Sequence, residues 1–99
     1  MPIRFEWNSG KERRNRRKHG VAFDEASTVF GDTLSITISD PDHSDVEERW
    51  VTMGLSHRQR LLVVVHVDDD KNEIVRIISA RPADAGERRE YEEGPPGKR

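Results

Sequence analysis

Lys18 and His19 stand side by side at the end of a run of positive charge, while Arg76 and Arg81 sit in an apolar stretch far along the chain. Neighbouring cations favour the neutral form of a lysine or histidine, the form a base requires. Planar guanidinium forks suit phosphate oxygens better than an ammonium does. His66, Tyr91 and Glu48 are further groups able to carry a proton. Displacement at phosphorus by side chains alone needs a base for the attacking hydroxyl, cations for the charge developing on the phosphorane oxygens, and an acid for the leaving oxygen. The chain has candidates for each. A second basic set, Arg13, Arg14, Arg16 and Arg17 with Arg58, is suited to holding a polyanion by its backbone.

Each candidate has a plainer reading. His19, just before Gly20, is also an ordinary C-terminal cation, stabilising a helix dipole by about 0.3–1 kcal/mol. His66 fits a hydrogen-bonded core histidine, Arg76 a partner for Glu48 or another acid, and Tyr91 core packing. Trp7 and Trp50 read as core residues before base-stacking platforms, and charge runs are usually solvated. Arg81 has fewer such excuses, since it follows a strand directly and precedes Pro82, a residue disfavoured in central sheet positions. His19, His43, His57 and His66 show no metal-ligand spacing, so neither a metal nor a cofactor is expected.

The elements that must position these groups are organised around residues 60–81. Leu61–Val67 and Ile74–Ala80 are strand-length runs of Val, Ile and Leu, separated by the charged residues 68–72, and read as a hairpin. Apolar residues fill both parities of the first run, which predicts a central strand covered on both faces. Ile3–Trp7 alternates as a half-buried strand. Ser9 with Glu12 reads as a capping box for a helix that Gly20 stops. That helix carries no apolar side chain, and only the arc of Glu12, Asn15 and His19 is free of Lys and Arg. A short second helix opens at Phe23-Asp24 with Asp24 as cap. Strands follow at Leu34–Ser39 and Glu48–Ser56, separated by an acidic loop over residues 40–45, and Asp84 with Glu87 caps a last helix through Tyr91. The order β-α-α-β-β-β-β-α gives an α+β fold, a small and mostly antiparallel sheet with helices packed on it. Residues 1–93 are expected to form one domain and 94–99 a flexible tail.

Composition narrows the class. The 99 residues are 32% hydrophobic and 36% charged, yet the apolar residues cluster in runs, as in a folded domain with a charged surface. The absence of cysteine excludes disulfides and thiolate metal sites, and nothing resembles a signal peptide or a membrane-length apolar segment, so a cytoplasmic protein without membrane contact is expected. Residues 1–20 carry seven Lys or Arg against two Glu, while acids gather at 40–48, 68–70 and 87–93. Segregated charge of this kind sets up directed fields.

In order and spacing the chain resembles the BrnT family of type II toxins, which share the RelE-like small ribonuclease fold. The matching pieces are Phe5-Glu6-Trp7, Asn15-Arg16-Arg17-Lys18-His19-Gly20, Val21-Ala22-Phe23-Asp24-Glu25-Ala26, Asp40-Pro41-Asp42-His43 and Glu48-Arg49-Trp50. They continue with Leu62-Val63-Val64-Val65-His66 and Arg76-Ile77-Ile78-Ser79-Ala80-Arg81-Pro82-Ala83, then Glu87 and Tyr91. The resemblance implies a ribonuclease that blocks translation and is neutralised by a BrnA-like antitoxin, the pair binding promoter DNA only through the antitoxin. A catalytically inert binding partner, co-repressor or RNA-binding module is the alternative. In the catalytic reading, Lys18, His19, Arg81 and Tyr91 converge on one cleft, with His66 and Arg76 as further candidates. Strict alternation puts Arg76 and Arg81 on opposite faces of their strand, so both can serve one site only if the strand twists or bulges between them.

Overall fold

The computed structural model describes residues 3–40 and 47–94, so most of the expected acidic loop and of the expected tail lies outside the described residues. Strand β1 (Arg4–Glu6) leads into helix α1 (Ser9–His19), then α2 (Phe23–Ser27) with a 3-10 turn over Thr28–Gly31. Strands β2 (Ile36–Ser39), β3 (Trp50–Leu55), β4 (Leu61–Asp69) and β5 (Ile74–Pro82) follow, and helix α3 (Ala85–Glu93) ends the described chain. The element order is the expected one.

The sheet runs β1-β5-β4-β3-β2, with β4 in the middle as its two-sided apolar pattern requires. It is mixed, which corrects the expectation of a mostly antiparallel sheet. The strands from β2 to β5 pair antiparallel, but β1 returns to the far side of β5 and runs parallel to it, Arg4 opposite Ile74 and Glu6 opposite Arg76. The alternation in residues 3–7 identifies a strand; it carries no information about the partner's direction.

Helices cover both faces. On one, Leu62, Val64, Ile77 and Ala80 pack against Val21, Phe23, Ala26 and Val29 from the α2 segment, with Phe5, Trp7 and Phe30 around them. Each such fully buried large side chain contributes roughly 1.5–3 kcal/mol. On the other, Met53, Leu61 and Val63 lie under Tyr91 of α3 and Ala83.

Helix α1, lacking an apolar stripe, is anchored by the polar arc seen in its sequence. Buried Asn15 donates to the carbonyls of Val21 (2.9 Å) and Ala80 (2.8 Å) and accepts from the Ala80 amide (3.1 Å). Strand β1 pairs with β5 only as far as Arg76, so the outer edge of β5 beyond it has no strand partner, and the Asn15 amide takes that place at Ala80. Glu12 accepts from Arg16 and from the Phe23 amide. The cap of α1 is Asn8, whose side chain accepts from the Lys11 amide, because Glu12 is turned toward Arg16 and Phe23 instead of closing a box with Ser9. Gly20 ends the helix in the left-handed region at φ 71°, as expected, and Asp84 and Glu87 form the expected capping box. Ala22, not Asp24, is the N-cap of α2.

Pro82 lies inside β5, opposite Leu62. The Ala80 amide points to Asn15 at the outer edge and the Ala83 amide bonds Leu61 of β4, so the residue between them that shares Ala80's parity directs its nitrogen outward. A proline there forfeits no ladder bond.

Candidate active site

The cationic groups gather at the end of the sheet where β4 begins and β5 finishes. Helix α1 points its last turn there, its C-terminus tied to the start of β4 by a bond from Arg60 to the Gly20 carbonyl (3.1 Å). With Asn15 inward, the side chains of Arg13, Arg14, Arg16, Arg17 and Lys18 are exposed, while His19 shares the Asn15 side and is half-buried. Among the described residues, neither Lys18 nor His19 has a hydrogen-bonding or ionic partner for its side chain. Both remain available to a ligand.

Beside this helix end lies an open cleft of about 490 Å³, lined by Arg16, Gly20, Glu25, His57, Arg58 and Arg60 among others. Its floor is an ion pair. Buried Glu25 of α2 receives the Arg60 guanidinium on both oxygens and the Ser56 hydroxyl at 2.7 Å. The Arg60 bond, helped by Ser56, outweighs the burial penalty and lowers the Glu25 carboxyl to about 2; the same pair raises Arg60 above its usual value. Glu25 is therefore a fixed anion that holds the β3–β4 turn against α2, leaving Arg58 and His57 exposed at the mouth.

Arg81 points to the opposite face, the one α3 covers. It forms a fork with Glu87 through two 2.8 Å bonds, and each partner shifts the other: Arg81 up, Glu87 down. Glu87 simultaneously caps α3 by accepting from the Asp84 amide. One turn further on, Tyr91 donates to Asp32 at 2.5 Å, and Asp32 also accepts from the Leu55 and Leu34 amides. Burial, then the Asp32 bond and charge, pushes the Tyr91 phenol up to about 12, which favours the protonated form. Those donors outweigh burial at Asp32 and hold its carboxyl below the usual range.

Arg76 lies on this same face, contrary to strict alternation. The register of β5 against β4 slips between Val65 and His66: Val65 pairs with Ser79, His66 with Ile77, and Ile78 is the extra residue. One bulge reverses parity, so the buried positions run Val75, Ile77, Ala80, and the opposite face carries the exposed Arg76 and then the half-buried Arg81. The two guanidiniums are nonetheless separated along the strand by about 15 Å. Arg76 faces Glu47 at 3.5 Å in an exposed pair; such pairs contribute well under about 1 kcal/mol.

His66 is buried, 1% exposed, edge-on to Phe30. Its Nδ1 lies 2.6 Å from Asp68 and its Nε2 2.7 Å from the Thr52 hydroxyl, which meets Thr37 in turn. Both ring nitrogens are occupied. The structure thus brings Arg16 and Arg58 to one cleft, beside the end of the helix that carries Lys18 and His19, puts Arg81 and Tyr91 on the α3 face, and keeps His66 inside. Sequence reasoning missed His57, Arg60 and Glu25. The available signals were two arginines and a histidine within the four residues 57–60 and one acid among the inward-spaced residues of a short helix.

A family model described as "Ribonuclease toxin, BrnT, of type II toxin-antitoxin system" matches residues 7–87. The chain belongs to the BrnT ribonuclease toxin family. Its fold is similar to the crystal structure of the Brucella abortus ribonuclease toxin BrnT, with a TM-score of 0.61 at 20% identity over 84% of this chain and 99% of that one. A comparison with curated proteins finds no match. As a BrnT toxin, the protein comes from a type II toxin-antitoxin system, which implies an antitoxin partner and an RNA target. No described helix is long and apolar enough to cross a membrane.

Proposed function

We propose that this BrnT toxin is an endoribonuclease that cleaves single-stranded RNA, messenger RNA above all, by acid-base chemistry of its own side chains in the cytoplasm, on a RelE-like scaffold. The observation that carries the reading is the exposed arc of α1, four arginines leading to the partner-free Lys18 and His19, with Arg58 at the mouth of the neighbouring cleft. An RNA strand laid along that arc presents its phosphates to Arg13, Arg14, Arg16 and Arg17 and delivers one phosphodiester to the helix end. Lys18 and His19 then lie where a base and a cation are needed. Arg81 and Tyr91 serve a site that extends over the rim to the α3 face, where their bonds to Glu87 and Asp32 preorganise them. Arg76 supplies a phosphate contact further along that face. His66, with both nitrogens occupied, holds the strand beside it.

The antitoxin, BrnA-like, neutralises the toxin by covering the basic arc, and promoter DNA meets the complex through the antitoxin. Growth arrest on expression of the chain alone, relieved by a combined Lys18→Met and His19→Gln substitution that leaves the fold intact, supports the enzyme. Arrest that persists unchanged in that variant refutes the proposed site, and absence of RNA cleavage by the folded wild type favours an inert partner.

A further inference from the structure

We infer that His57, at the mouth of the cleft between α2 and the β3–β4 turn, is a general base of the RNA-cleaving reaction, with Arg58 holding the phosphate beside it. The inference rests on the ribonuclease reading above and assigns the base to His57, leaving Lys18 and His19 to hydrogen-bond the phosphorane oxygens. The Thr28 hydroxyl donates its single proton to the Glu25 carbonyl at 2.6 Å, so toward His57 it acts only as an acceptor. It accepts from the His57 amide at 2.9 Å and lies 3.3 Å from His57 Nδ1. Nδ1 must therefore carry a hydrogen, which leaves the lone pair of the neutral ring on Nε2. A single hydroxyl thus sets both the tautomer and the orientation of an exposed imidazole.

The surroundings complete the case. Arg60 is held by Glu25 and Gly20, and Arg16 bonds Glu12 through its Nε. The guanidinium of Arg58 has no hydrogen-bonding partner among the described residues and adjoins His57. The charged groups lining the cleft are Arg16, Arg58 and Arg60 against Asp24 and the ion-paired Glu25, and Arg58 is the cation among them that no carboxylate holds in the described residues. Nε2 takes the proton of a ribose 2′-hydroxyl, the 2′-oxygen bonds to phosphorus, and the bond from phosphorus to the 5′-oxygen breaks. The 5′-oxygen leaves with a proton from water, and the imidazolium returns its own to the resulting hydroxide. The products are a 2′,3′-cyclic phosphate and a 5′-hydroxyl end.

The test uses the purified full chain and an end-labelled single-stranded oligoribonucleotide, following cleavage against pH and binding by anisotropy. His57→Gln should lower kcat by about 10²-fold, with RNA affinity and melting temperature unchanged, and should remove the limb of the wild-type pH profile on which rate rises as the base deprotonates. Arg58→Gln should act mainly on KM. Thr28→Val, which keeps the shape but frees the ring, should lower kcat by a smaller factor and reduce the dominance of the Nδ1-H tautomer in the ¹⁵N spectrum. Cleavage by His57→Gln at the wild-type rate and with the wild-type profile overturns the inference while the ribonuclease reading stands. If the wild type itself leaves the RNA intact, the ribonuclease reading fails, and the inference fails with it.

Discussion

Replacing Tyr91 by Phe removes one hydroxyl and separates two roles that the residue can have. Asp32 keeps its bonds from the Leu55 and Leu34 amides but loses the phenol. The expected cost is about 1–2 kcal/mol in urea denaturation, the usual range for one partner of a part-buried charged hydrogen bond. A phenol held at about 12 keeps its proton at neutral pH, so any catalytic role for Tyr91 is that of an acid. Loss of cleavage without loss of stability would mark that role. Loss of stability alone would mark a structural strut between α3 and the loop before β2. Glu25 gives a second residue-scale expectation. Its folded value of about 2 is below the ordinary 4.5, so its contribution is fully present above pH 4.5 and is lost as pH falls toward 2. The size is about 3 kcal/mol. Urea titrations across that window should show a decline in the wild type that is flattened in Glu25→Gln; parallel curves would contradict the assignment of Glu25 as the buried anion.

Helix α1 shows how much rests on one side chain when an element has no apolar face. Asn15→Ala deletes three hydrogen bonds and leaves the Ala80 amide and two carbonyls unpaired in the interior. A loss of about 3 kcal/mol is expected. Asn15→Asp should cost nearly as much, because a carboxylate still accepts from the Ala80 amide but repels the Val21 and Ala80 carbonyls. Thermal melts of the two variants check this, and a near-neutral Asp variant would mean that α1 is held by something other than this amide. That Glu12, Asn15 and His19 form the one arc free of Lys and Arg was legible beforehand; that this arc is the seam, docked on the edge of β5, was not. The central place of β4 could be read from its two apolar parities, and the α3 cap from Asp84 and Glu87. The bulge at Ile78 could not, because Ile77, Ile78, Ser79 and Ala80 suit either face and the parity change is visible only in the register. For the same reason the shared face of Arg76 and Arg81 was hidden. The Glu25–Arg60 pair escaped notice because 35 residues separate partners that meet only after folding.

At the scale of the molecule, charge is sorted by place. The cations of α1 line one flank, while α3 on the other face of the sheet carries Glu87, Glu90, Glu92 and Glu93 against Arg88 and Arg89. RNA binding should therefore weaken steeply with salt, and each Arg→Gln substitution among Arg13, Arg14 and Arg17 that removes a phosphate contact should reduce the slope of log K against log salt by roughly 0.7. Anisotropy titrations at several salt concentrations read this directly, and an unchanged slope in the triple variant would place the RNA elsewhere. An antitoxin that covers the same flank should compete with RNA; independent binding of both would contradict that placement. The RNA-cleaving centre proposed for the end of α1 is made of side chains alone. The most direct measurement is cleavage of a single-stranded RNA by the purified chain in excess chelator, for the wild type and the Lys18→Met, His19→Gln variant. The expected result is cleavage by the wild type with 2′,3′-cyclic phosphate ends, and a loss of about 10²-fold or more in the variant while its fold is retained. Wild-type activity that vanishes in chelator, or a variant that cleaves as fast as the wild type, would contradict it.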